Sequence, residues 1–168
     1  MIGMEPIGLI PLADGGHVVV DAADVPFLSL LYWHRHRSPS NPRSDYARAH
    51  VPGGGSVKLH RLLLLLVEPK QKVDHRNGCG LDCRRSNLRR ATSTQNAGNQ
   101  RARRGRAQYK GVSFRRNSPG HPWAAYVGGR RAGCYLGSFS TPEEAALAYD
   151  LAALARWGEF AHTNLLRP

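Results

Sequence analysis

The chain has 168 residues, 41% of them hydrophobic, and 24 Lys and Arg against 12 Asp and Glu give it a net charge of +12. That length suits one ordinary domain or two small ones, each with a modest core. It argues against a bilayer span, because the longest apolar run, residues 62–67, falls far short of the ~20 residues a spanning helix needs.

The opening residues, MIGMEPIGLIPLADGG, have neither the charged start nor the sustained apolar stretch of an export signal. Three cysteines, Cys79, Cys83 and Cys134, are an odd count. Reduced thiols in a cytoplasm are therefore expected. The positive charge is concentrated. From Cys83 to Pro142 there is no acidic residue, while Arg84, Arg85, Arg89, Arg90, Arg101, Arg103, Arg104, Arg106, Lys110, Arg115, Arg116, Arg130 and Arg131 all fall in that stretch. A field of one sign attracts a polyanion and releases its counterions on binding.

In chain order, residues 7–20 read as two short strands around Gly15-Gly16. Residues 21–33 read as a short helix, with Asp21 or Asp24 near its start. Residues 35–44, RHRSPSNPRS, read as a polar loop rich in breakers. Residues 46–51 and 56–59 can pair as a hairpin around Pro52-Gly53-Gly54-Gly55. Residues 59–67, LHRLLLLLV, read as a buried helix stopped by Pro69.

A compact polar segment follows, with a strand at 72–75, a turn at Asn77-Gly78, a second strand at 87–91 and a helix capped by Thr92 or Ser93 that runs through Gln95 and Asn96. Residues 97–108 are an Arg-rich linker without apolar periodicity, expected to order on meeting DNA. Three strands of an antiparallel meander are then expected at 109–115, 122–127 and 132–138, separated by glycine-rich turns. Thr141-Pro142-Glu143-Glu144 is a helix start, Ala145, Ala146, Ala148, Tyr149, Ala152, Ala153 and Trp157 form its apolar face, and Gly158 ends it. One helix covers one face of such a sheet and leaves the other open.

The chemistry-bearing residues are Asp74, His75, Asn87 and Asn96. Hydrolysis of a phosphodiester needs a base to activate water and a divalent cation to stabilise the leaving oxygen. Hard cations take oxygen ligands. A carboxylate at a strand end, Asp74, and an amide oxygen on a helix, Asn96, could grip one Mg2+ or Mn2+ ion. His75 points to the opposite strand face and could reach the attacking water. Cys79 and Cys83 lack a second cysteine pair, so free thiols are favoured over zinc.

Residues 59–96, with LHRLLL, VDHRNG, NLRRAT and STQN, resemble the HNH endonucleases of the ββα-metal superfamily, especially phage homing enzymes. The resemblance implies Asp74 and Asn96 as metal ligands and His75 as general base. Asn87 would tie the loop between strands, and His60 would be structural. It also implies a phage-encoded or mobile-element enzyme in the cytoplasm of a bacterial host.

Residues 109–165 carry Tyr109-Lys110-Gly111-Val112, Trp123-Ala124-Ala125, Leu136-Gly137-Ser138-Phe139, Thr141-Pro142-Glu143-Glu144-Ala145-Ala146, Ala148-Tyr149-Asp150 and Asn164-Leu165. In these residues the segment resembles the plant APETALA2/ethylene-response-factor DNA-binding domain. That resemblance implies a three-stranded sheet in the major groove backed by a helix. Ser113 stands where those domains usually have Arg, so base specificity does not transfer.

The expected fold class is α+β, a ββα-metal module followed by a three-stranded antiparallel sheet packed on one helix. The expected organisation is a β-rich region at 1–58, the HNH module at 59–100, a basic linker at 101–108 and the reader at 109–168. The expected function is metal-dependent cleavage of double-stranded DNA, with Arg76, Arg89, Arg101, Arg103, Arg104, Arg106, Lys110, Arg115, Arg116, Trp123, Arg130 and Arg131 on DNA. Trp123 reads equally well as core. The rival is a non-catalytic DNA-binding regulator with a decayed HNH module. An RNA-binding protein is disfavoured, because no exposed aromatic pattern for stacking bases is evident. No membrane and no obligate protein partner are expected, and monomer and dimer stay open.

Overall fold

The computed structural model describes residues 6–38, 41–68, 70–101, 108–128 and 133–166. The chain divides into two compact units, Met1–Thr92 and Ser93–Pro168. Both are of mixed α+β character, with antiparallel sheets and few helices.

In the first unit, β1 (Ile7–Pro11) and β2 (His17–Asp21) form the expected hairpin, with Ile7 opposite Asp21 and Pro11 opposite His17. Alternation sets its faces: Ile10, Val18 and Val20 are buried while Ile7 and Leu9 are exposed. The helix expected over 21–33 is only a 3-10 turn, Ala22–Asp24, and a four-residue helix α1, Val25–Leu28. Asp21 and Asp24 do not cap it with their side chains. Both acids are used elsewhere: the Asp21 carboxylate accepts from the Arg85 backbone N–H at 2.9 Å, and Arg85 clasps Asp24 through Nε at 3.1 Å and Nη2 at 2.7 Å.

The polar loop expected at 35–44 is instead largely strand. β3 (Trp33–Ser38) pairs with β4 (Asn41–His50), and β4 pairs with β5 (Ser56–Lys58), giving a three-stranded sheet. The reason is charge pairing across strands. Arg35 lies between Asp14 and Asp45, each at 3.2 Å, and Arg37 reaches Asp45 at 3.3 Å. Hydropathy cannot see such partners. The hairpin expected around 52–55 is present as β4–β5.

The helix expected over 59–67 is shorter: α2 spans Leu59–Leu63. Arg61 accounts for its end. Its guanidinium donates to the carbonyls of Leu66, Glu68 and Gln71, at 3.2, 2.5 and 2.6 Å, and so wraps the following chain around itself. Leu65 takes a left-handed φ of 51°, and Leu65 and Val67 are exposed rather than buried.

β6 (Lys72–His75) and β7 (Leu88–Ala91) form a hairpin in which Asp74 faces Arg89 and His75 faces Leu88. One core runs from Ile10, Val18, Val20, Leu28 and Trp33 through Ala47, Ala49, Leu59 and Leu63 to Cys83 and Leu88. It therefore crosses the boundary expected at 58/59. Backbone bonds cross it too: Val19 N–H donates to Leu81 O at 2.9 Å, and Cys83 N–H to Val19 O at 2.7 Å.

The second unit opens with helix α3, Ser93–Asn99. The meander follows as β8 (Val112–Phe114), β9 (Trp123–Val127) and β10 (Cys134–Phe139), in the order β10-β9-β8. Helix α4, Pro142–Trp157, begins with a full capping box: Thr141 Oγ1 accepts from Glu144 N–H, and the Glu144 carboxylate accepts from the Thr141 N–H. Its Ala145, Ala146, Tyr149 and Ala153 bury against Val112, Ala125 and Val127 of the sheet. Alanines let the helix approach closely. Gly111, at φ 77°, lies so near Tyr149 that a Cβ would sit 2.1 Å from the ring, so no other residue fits there.

Candidate functional site

In the first unit, β6 brings Asp74 and His75 together, and both are buried. Asp74 Oδ2 is gripped by Arg89 Nε and Nη2, each at 2.7 Å, with both side chains almost fully enclosed. Arg89, expected on DNA, is thus committed to a buried ion pair.

The His75 ring lies edge-to-face with His60 at 5.1 Å and 5.9 Å from Tyr46, and its Nε2 is 3.9 Å from Cys83 Sγ. Burial pushes His75 down to about 4, against the opposing pull of Asp74 and Asp82. Burial likewise pushes His60 down to about 3, helped by His75, Lys58 and Arg61. Both imidazoles are therefore neutral near pH 7. Burial raises the Cys83 thiol to about 12, which makes it inert. All three cysteines are free thiols.

The loop between β6 and β7 is built on Asn87. Its Oδ1 accepts from Asn77 N–H at 3.0 Å, and its Nδ2 donates to Asn77 Oδ1 at 3.1 Å and to Asp82 O at 2.7 Å. Asp82 in turn accepts from Asn77 Nδ2 at 2.8 Å and from Arg84 Nε at 2.8 Å and Nη2 at 2.6 Å. Arg84 holds the Asp82 carboxyl below its usual range. Sequence reasoning missed Asp82, Arg84 and Arg85 as loop-builders. The acid–Arg spacing of Asp82 and Arg84 was the available signal.

The residues of this unit do not by themselves fit a divalent cation. One oxygen of the carboxylate at the expected position is taken by Arg89. Among the described residues, no group of three or more His, Cys, Asp or Glu could hold a metal. Asn96, the other expected ligand, sits half-buried on α3 of the second unit. Arg76 is exposed in the turn after β6.

In the second unit, one face of the sheet is covered by α4, and among the described residues the other is open, with Arg115, Tyr126 and Tyr135 on it. Trp123 lies on the covered side, packed against the core with Phe114 edge-on at 5.0 Å, so it is core rather than part of the open face. Lys110 also turns inward. Its Nζ donates to Gly98 O at 2.5 Å and lies 5.7 Å from the centre of the Tyr149 ring and 5.6 Å from that of Trp157. Burial pulls it down to about 8.

Asp150, fully buried, accepts four hydrogen bonds: from Asn164 N–H at 2.7 Å and Nδ2 at 3.1 Å, from Leu165 N–H at 2.7 Å and from Leu166 N–H at 3.0 Å. Asn164 then clamps the backbone of Lys110, 2.7 Å from its N–H and 3.1 Å from its carbonyl. These matched residues of the sequence motif hold the module together.

Arg115 does lie on the open face. Its Nη2 donates to the Tyr126 hydroxyl, and its guanidinium carbon is 5.2 Å from the Tyr135 ring centre. Arg116 is exposed beside it, and Arg101 is exposed after α3. Arg103, Arg104, Arg106, Arg130 and Arg131 lie outside the described residues.

A three-stranded antiparallel sheet with one face closed by a helix and Arg115 on the other is the kind of sheet module that can enter a groove of duplex DNA. Among curated proteins, the chain is 47% identical over 58 residues to an ethylene-responsive transcription factor of Arabidopsis thaliana, covering 33% of this chain and 30% of that relative. It is 46% identical over 66 residues to a second ethylene-responsive transcription factor of the same plant, covering 36% of this chain and 40% of the relative. The chain thus spans less than half the length of the curated relatives it matches. These partial likenesses support an ethylene-response-factor-like domain in the C-terminal part. No protein-family model matches the chain. No solved structure matches it. Among the described residues, no helix is long and apolar enough to cross a membrane.

Proposed function

We propose that this chain is a double-stranded DNA-binding protein that docks the open face of β8–β10 in the major groove. The observation that carries the reading is Arg115 on the open sheet face, with Arg116 exposed in the turn that follows and no acidic residue anywhere from Cys83 to Pro142. Two or three strands fit that groove, and arginine is the commonest reader of base edges there. The likeness to ethylene-responsive transcription factors, whose name denotes gene regulators, supports it. Electrophoretic mobility shift of a duplex by the full chain tests it. Retardation that weakens steeply with salt is expected, and none at low salt would refute it.

A second reading, a metal-dependent HNH endonuclease, is favoured by one specific arrangement. A neutral His75 adjoins Asp74 on β6, and Asn87 ties the loop of the same hairpin. A neutral imidazole has a lone pair free to take a proton, but burial that lowers His75 to about 4 makes it a weak base. Mg2+ or Mn2+ would supply charge stabilisation when bound. The donor set of the first unit is too sparse for any step to be routed through such an ion. Incubating supercoiled plasmid with wild type and His75→Ala, with Mg2+ and with EDTA, separates the readings. Metal-dependent nicking lost in the variant selects the nuclease, whereas binding without cutting selects the regulator.

A further inference from the structure

On the open face of the second unit's sheet, Arg115 is held by two tyrosines from neighbouring strands. Tyr126 of β9 and Tyr135 of β10 are register partners, so both rings rise from the same side. They lie 5.3 Å apart at 48°. The Arg115 guanidinium carbon is 5.6 Å from the Tyr126 ring centre and 5.2 Å from that of Tyr135. Arg115 Nη2 donates to the Tyr126 hydroxyl. The Tyr135 hydroxyl and Ser138 Oγ are 2.8 Å apart, which anchors the second ring.

The chemistry of this trio is unlike that of the other arginines. A carboxylate partner would direct a guanidinium and also neutralise it. Here a neutral hydroxyl directs it and leaves its charge intact. Among the described residues, Arg115 makes no ion pair, and its Nε and Nη1 have no hydrogen-bond partner. Two flanking rings restrict a long side chain before any ligand arrives, which lowers the ordering cost of binding. A phosphate also accepts the guanidinium fork, but on a mobile backbone it can adjust to the arginine and does not demand this direction. The O6/N7 edge of guanine does, because it accepts two donors in a fixed fork.

We propose that Tyr126 and Tyr135 form a clamp that positions Arg115 to read one guanine in the major groove of duplex DNA. This rests on the DNA-binding reading above. Tyr126 and Tyr135 are positioning residues, and Arg115 is the group that touches the base.

The test uses the full chain and a randomised duplex library, followed by single-position variants of the duplex selected. Wild type should select a site with one strongly preferred G·C pair that Arg115→Lys no longer distinguishes. That variant keeps the charge and loses the fork. Discrimination at that pair should fall by roughly 5- to 150-fold, with affinity for unrelated duplex nearly unchanged. Tyr126→Phe keeps the ring and loses the acceptor. It should lower discrimination at the same pair by about 3- to 10-fold and at no other.

Equal weakening of all duplexes by Tyr126→Phe, or an Arg115→Lys preference identical to wild type at every position, would overturn the clamp. Should Tyr126→Phe melt below wild type, Tyr135→Phe decides: it frees the second ring from Ser138 and should lower discrimination at the same pair alone, and no change there would overturn the clamp. Should wild type bind no duplex, the DNA-binding reading itself fails, and the clamp falls with it.

Discussion

The two units use arginine in opposite ways. In Met1–Thr92, Arg35, Arg84, Arg85 and Arg89 are paired with carboxylates, and Arg61 is wrapped in backbone carbonyls. These side chains hold the fold. In Ser93–Pro168, Arg115 on the open sheet face and Arg116 in the turn beside it have no carboxylate partner among the described residues. The same residue type is mortar in one unit and surface charge in the other. What separates the two is the supply of acids nearby. An excess of +12 over the whole chain therefore locates no interface until the paired arginines are set aside.

Substitutions can break this contrast. The largest effect is expected at Arg89. Arg89→Ala strands the buried Asp74 carboxylate and should cost about 3–5 kcal/mol, read as an earlier urea midpoint for the first unit.

Next is acidification. In the unfolded chain His60 and His75 return to the ordinary value of 6.5, whereas in the fold they lie at about 3 and about 4. Between these values the unfolded chain binds more protons. Stability is thus full above pH 6.5, falls as pH drops toward 4 and levels off below about 3, by on the order of a few kcal/mol. Hydrogen exchange across the first unit should follow that window, and His75→Phe should reduce the pH dependence while leaving the part that belongs to His60.

Arg61→Ala releases three carbonyls at the end of α2 and should cost about 1.5–3 kcal/mol, with exchange rising over residues 64–71. Removing the cap of α4 in Thr141→Ala should lower the stability of the second unit by about 1 kcal/mol in thermal unfolding. Arg116→Ala should change stability by less than about 0.5 kcal/mol, which sharpens the contrast with Arg89.

Local elements were legible where pattern and punctuation agreed. The β1–β2 hairpin, the β4–β5 turn, the β8–β10 meander and the capped α4 follow from alternation, Gly-rich turns and a Thr-Pro-Glu-Glu start. β3 was not legible, because its Arg and His residues read as loop until Asp14 and Asp45 are seen across the strands. The end of α2 was hidden for a similar reason: a run of leucines reads as helix, and only the Arg61 clasp shows why the chain turns.

Of the candidate site, the adjacency of Asp74 and His75 could be read from order alone, whereas the loop role of Asn87 followed from the resemblance to HNH endonucleases. The commitment of Arg89 to Asp74 and of Lys110 to Gly98 could not, since both depend on which side of a strand or helix meets a neighbour. Trp123, balanced between core and DNA on sequence grounds, is placed by Phe114 and the helix side of the sheet.

The central claim is that the open face of β8–β10 binds duplex DNA. The most direct measurement is fluorescence anisotropy of a labelled duplex titrated with the full chain over a series of salt concentrations, for wild type and for Arg115→Glu combined with Arg116→Glu. The account predicts at least about a tenfold loss of affinity and a shallower salt dependence in the double variant, with its melting temperature unchanged. Equal affinity and equal salt dependence in the two proteins would contradict it.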